Sequence, residues 1–159
     1  MKLIVTLLSC LFIGWATTDV QNTDNLFSRV DEVFEQQEPA WKIERQYPSN
    51  TSDPVSHNVV YRSKMGQASI EISVWKKEQD ARDVFVGQVI AFDNTAGKNK
   101  LKRSLPNVGD ENFIWTNPSS TGWPTIMIRK ARILVHVFAP NVSIAKRFAG
   151  HVLKQIDAS

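Results

Sequence analysis

Apolar and polar residues alternate through the stretch Trp123 to Phe138, which breaks in the middle at Lys130-Ala131. A two-residue turn there sets Arg129 opposite Arg132, Ile128 opposite Ile133, Met127 opposite Leu134, Ile126 opposite Val135 and Thr125 opposite His136. Opposed residues of a hairpin share a face, and faces alternate along each strand. One face then carries Ile126, Ile128, Ile133, Val135 and Val137 and belongs to a core. The other carries Trp123, Thr125, Met127, Arg129, Arg132, Leu134, His136 and Phe138. Opposed like charges are mildly unfavourable, and a tight primed turn favours Gly or Asn where this chain has Ala131. A looser turn in another register is the alternative.

The cleanest period of two lies earlier, where Ala68, Ile70, Ile72 and Val74 interleave with Gln67, Ser69, Glu71 and Ser73. Residues 59–64 and 67–75 read as a hairpin about Met65-Gly66. Val59 then faces Ile72 and Tyr61 faces Ile70 on the core side, with Arg62, Ser69, Glu71 and Ser73 turned outward. Trp41, Ile43 and Tyr47 alternate with Lys42, Glu44 and Gln46 as a half-buried strand with Arg45 on its apolar side. A polar loop over 47–54 follows. A turn at Val108-Gly109-Asp110-Glu111 leads into a short strand, Asn112 to Thr116.

Three segments instead show the helical period. The first, capped by Thr23 or Asp24 and ended by Pro39, places Leu26, Phe27, Val30, Val33 and Phe34 on one stripe. The second, Glu78 to Phe92, carries Ala81, Val84, Phe85, Val89 and Phe92. Val86 and Ile90 widen that stripe and imply cover on more than one side. The third, capped by Asn141 or Ser143, carries Ala145, Phe148, Ala149, Val152, Leu153 and Ile156. The pattern predicts an α+β domain: a mostly antiparallel sheet of five to six strands, including two hairpins, with two to three helices packed on one face.

The amino end adds a location. Lys2, an apolar run from Leu3 to Trp15 and small residues at Gly14 and Ala16 form the pattern of a cleaved secretory signal. The run is too short for a typical membrane-spanning helix. The expected organisation is a signal over 1–16, a polar linker over 17–23 and one domain over 24–159, with no transmembrane segment after cleavage. Leu7-Leu8-Ser9-Cys10 offers a lipoprotein alternative, but Cys10 stands early for a lipid-attachment box. Cys10 is the only cysteine, so the mature chain has none and relies on its core without disulfides. These features point to a bacterial periplasm or the cell exterior.

Val108-Gly109-Asp110-Glu111-Asn112-Phe113, Ile128 to Val135 and the alanine-bearing final helix together resemble small bacterial extracytoplasmic domains, some of them lipoproteins and some the outer sensor domains of membrane kinases. The resemblance covers about residues 66 to 157. It implies binding or sensing and transfers no catalytic residue. Such domains often carry Gly at the tip of the second hairpin, where this chain has Lys130-Ala131.

Charge separates along the chain. Asp19, Asp24, Asp31, Glu32, Glu35 and Glu38 stand against Arg29 alone over residues 17–40, whereas the body beyond is basic and the whole chain carries +3. Such a body suits anionic partners, and Lys98, Lys100, Lys102 and Arg103 concentrate that charge in what reads as a surface loop over 93–106. The cluster lacks interleaved aromatics, so nucleic acid is not an expected partner. His57, His136 and His151 show no short metal-ligand spacing, and neither a metal nor a cofactor is expected. No nucleophile elbow and no phosphate-cradling glycine loop occurs in the sequence. The expected function is an exported, non-catalytic binding or sensing module for an exported protein or an anionic surface. Its expected site is the outer face of the 123–138 hairpin, aided by the basic cluster, since large apolar side chains beside arginines mark contact surfaces. The alternatives are a small enzyme with a site assembled near His136 and an inhibitor or immunity-type protein. The outer face could also be a second core layer under the first helix.

Overall fold

A computed structural model describes residues 13–50, 52–95, 101–116 and 123–159. The apolar leader before Ile13, with Cys10, and the basic residues Lys98 and Lys100 lie outside the described residues. The chain runs α1 (Ile13–Gln37), β1 (Lys42–Asn50), β2 (Val55–Ser63), β3 (Gly66–Val74), α2 (Glu78–Thr95), β4 (Leu101–Arg103), β5 (Glu111–Thr116), β6 (Thr125–Lys130), β7 (Ile133–Phe138) and α3 (Val142–Asp157). All seven strands join one antiparallel sheet in the order β1-β2-β3-β7-β6-β5-β4. The α+β class and the antiparallel sheet are as the pattern predicts. The strand the pattern does not show is β4, three residues inside the basic run that pair with β5.

Both hairpins turn one residue away from the expected place. The second turns at Ala131-Arg132, so Lys130 pairs with Ile133, Arg129 with Leu134, Ile128 with Val135 and Met127 with His136. The first turns at Lys64-Met65, so Val59 pairs with Ile70 and Tyr61 with Ala68. The expected opposition of Arg129 and Arg132 does not occur. Moving a turn by one residue slides the register by two, and a slide of two preserves the faces. Ile126, Ile128, Val135 and Val137 are therefore buried together, as are Val59, Tyr61, Ile70 and Ile72.

That face packs under α1 and α3. Leu26, Phe27, Val30 and Phe34 of α1 meet Ile144, Ala145, Phe148, Ala149 and Val152 of α3 over the sheet. Asn141 caps α3 by accepting the Ile144 N–H at 2.9 Å. Helix α1 starts well before Thr23 and takes in residues 17–23, so Thr23 and Asp24 are not its cap. Helix α2 lies on the opposite face, where Ala81 and Phe85 cover Phe113, Met127 and Leu134. Its Val86 and Ile90 are exposed at 44% and 54%, so the wide stripe is covered on one side only. Strand β1 is an open edge rather than half-buried: Trp41 before it is buried, but Ile43 and Tyr47 are each 43% exposed and the pairing with β2 slips twice. Arg45 is exposed and donates to the Tyr47 hydroxyl at 3.1 Å.

Candidate functional site

The outer face of the β6–β7 hairpin is a second core layer, and α2 rather than α1 covers it. Met127, Leu134, Thr125 and Arg129 are buried. Phe138, His136 and Arg132 are partly covered, and Trp123, at 38% exposed, is the one residue of the set open to solvent.

Arg129 is held by intramolecular partners. Its Nε donates to Glu111 Oε2 at 2.6 Å, and its Nη1 donates to Glu78 Oε1 at 3.0 Å and to the Ala131 carbonyl at 2.8 Å. Asp110 stands 3.4 Å away and accepts the Ala131 N–H at 2.6 Å. Burial would lower the affinity of this guanidinium for its proton, but the hydrogen bonds and charges of Glu111, Glu78 and Asp110 more than offset it and raise the pKa. Arg129 thereby neutralises the start of α2 and fixes the hairpin tip.

His136 stands between Phe92 and Phe138, with ring centroids 6.1 and 4.3 Å away. Its Nε2 has no hydrogen-bond partner among the described residues. Burial alone pushes its pKa down to about 4. Its cross-strand neighbour on β3 is Glu71. The other two histidines are structural ties as well. His57 meets Asp31 of α1 at 2.9 Å and stacks on Phe27, and His151 meets the buried Glu38 at 3.0 Å. Arg147 clamps the same Glu38 carboxylate through two bonds of 2.5 and 3.0 Å. No cluster of three potential metal ligands occurs among the described residues. No described helix is long and apolar enough to cross a membrane.

Of the basic run, Lys102 and Arg103 fall on β4, where Lys102 pairs with Trp115 and Arg103 with Ile114. Clefts open elsewhere among the described residues. A polar one of about 410 Å³ is lined by Asn22, Asn25 and Arg29 of α1 together with Arg132 and Ser159. The second feature is a pair of adjoining hollows, of about 280 and 290 Å³, between α3 and the segment 104–108. They share Leu105, Pro106 and Lys146, and each is lined largely by apolar groups.

This groove is built by local devices. Asn112 of β5 accepts the Leu105 N–H at 2.5 Å, and its amide donates to the Leu105 and Val108 carbonyls at 3.0 and 2.6 Å, stapling the loop that forms one wall. Asn107 takes a left-handed φ of 59° and Gly109 one of 62°. A Cβ at Gly109 would meet Ile128 Cγ2 at 2.5 Å, so the close approach requires glycine there. The other wall is the flank of α3, where Gly150 leaves room: a Cβ there would meet nothing within 4 Å. The sequence carried a signal for this site in the apolar Leu105, Pro106 and Val108 inside a loop and in a glycine interrupting a helical stripe.

No family model, curated protein or solved structure matches the chain.

Proposed function

We propose that the protein is an exported, non-catalytic binding module whose site is the groove between α3 and the 104–108 loop. The observation that carries this reading is the groove itself, two largely apolar hollows that share Leu105, Pro106 and the exposed Lys146. Apolar clefts with a few polar groups are the usual form of small-molecule sites. His57, His151, Arg129 and Glu38 are tied into intramolecular pairs, and the Nε2 of His136 has no hydrogen-bond partner among the described residues. Export rests on the leader pattern. Cleavage after Ala16 removes only the first turn of α1, and the buried α1 residues among those described begin at Thr23.

The test is thermal denaturation of the mature chain against a panel of small apolar and amphipathic compounds, in parallel with a Gly150→Phe variant. Ligands at a hundredfold excess over their Kd stabilise by about 2.7 kcal/mol, a shift of several degrees for a domain of this size. Compounds that raise the Tm of the parent and leave the variant unmoved are the expected result. A panel with no effect on the parent, or turnover of a substrate that His136→Gln abolishes, would overturn the reading.

A further inference from the structure

The composition of the groove specifies more than an apolar ligand. Lys146 is the shared member of both hollows, is exposed, and has no ionic partner among the described residues. The next residue, Arg147, is committed to Glu38, so Lys146 is the described cation of this helix flank that faces the groove without a counter-ion. None of the lining residues is acidic. Apart from Lys146, one hollow is walled by hydrocarbon, including Leu105, Pro106, Ala149 and Leu153, and the other by Ile114 and Val142 with the hydroxyls of Ser104 and Thr116. Two adjoining, largely apolar hollows that share one cation fit a molecule that is mostly apolar and carries a single negative charge. A metabolite rich in polar groups would leave more of them against hydrocarbon than the Ser104 and Thr116 hydroxyls and Lys146 can serve.

We infer that the groove binds a free single-chain carboxylate of the fatty-acid kind, its chain lying in the hollows and its head paired with the Lys146 ammonium. This rests on the binding reading above and names the ligand class of that same site. Each buried methylene contributes about fourfold to affinity, so straight-chain carboxylates gain steadily with length until the hollows are full. The exposed ammonium favours a charged head over an uncharged one by up to about fivefold.

The experiment is titration calorimetry of the mature protein with octanoate, decanoate and dodecanoate. The comparisons are an uncharged dodecyl glycoside and phosphatidylglycerol vesicles. Lys146→Glu and Gly150→Leu are read alongside Gly87→Leu on α2, where an added Cβ also meets nothing within 4 Å and which lies away from the groove. Dodecanoate is expected to bind the parent and Gly87→Leu alike, to weaken several-fold on Lys146→Glu, and to be lost on Gly150→Leu. Equal binding of the uncharged glycoside would overturn the carboxylate assignment while leaving the groove as a binding site. Binding that survives Gly150→Leu would place the ligand elsewhere and overturn both. Attachment to vesicles without binding of free dodecanoate would identify a membrane surface as the partner and overturn the inference, as would no binding of any chain.

Discussion

Among single residues, His136 sets the sharpest condition on stability. Folded, it titrates at about 4 against an ordinary value of 6.5, because its ring is shut away from water. Between those two pH values the unfolded chain takes up a proton that the folded chain refuses. The stability conferred by neutral His136 is therefore complete above pH 6.5 and is lost as the pH falls toward 4, by roughly 3 kcal/mol in all. Urea denaturation of the parent and of His136→Leu at pH 7 and pH 4.5 checks this. The parent is expected to lose roughly 2–3 kcal/mol more than the variant on acidification. Equal losses would assign the acid sensitivity to other groups. Arg129 carries a related lesson. As a residue type it reads as a binding hot spot, yet its three carboxylate neighbours come from α2, the turn before β5 and β5 itself, elements whose meeting no local pattern announces.

At the scale of elements, the β6–β7 hairpin shows what alternation reveals and what it hides. The inward and outward sets of both hairpins were legible because a turn displaced by one residue keeps every side chain on its face. The turn itself was not legible, since Ala131 takes a φ of 48° that its side chain disfavours and gains its place from Asp110 and Arg129. Replacing Ala131 with Gly is expected to stabilise the fold by roughly 0.5–1 kcal/mol. Gly109→Ala is expected to cost at least 2 kcal/mol, roughly, because it combines the same backbone strain with a clash against Ile128 and the Arg129 carbonyl. Chemical denaturation of the two variants reads both signs. An unaffected Gly109→Ala would mean the turn before β5 yields more freely than its contacts suggest. The polar outward side of β3 and the apolar outward side of β6 differ for one reason: α2 covers only the β5–β7 half of that face. Periodicity measured that difference as an unusual surface, because it counts polarity without knowing what lies above.

For the whole molecule, the layer of α1 and α3 is joined by polar ties as well as by its core. Glu38, just past the end of α1, receives Arg147 and His151 from α3 while itself nearly sealed from water. Glu38→Ala strands His151 and frees Arg147, which is half exposed and rehydrates in part. The expected loss is roughly 1–3 kcal/mol. Hydrogen exchange of α1 amides would rise before global unfolding if the tie anchors that helix, and an unchanged exchange rate would show that apolar packing alone holds it. The groove proposed as the binding site also belongs to this scale. Its walls come from a loop and a helix flank that are 35 or more residues apart in sequence. Leu105, Val108 and Gly150 each stand out only weakly, and the site exists only where the fold sets them side by side.

The strand order has a consequence in time. Two meanders, β1 to β3 and β4 to β7, meet at the pairing of β3 with β7, and β7 is the last strand to leave any machinery that delivers the chain from its amino end. Until β7 arrives, β3 presents an unpaired edge whose buried face holds Ile70, Ile72 and Val74, the kind of surface that recruits strands from other chains. A chain arriving slowly is thus exposed to aggregation until β7 emerges, and the helix that shields the completed seam, α3, comes only after it.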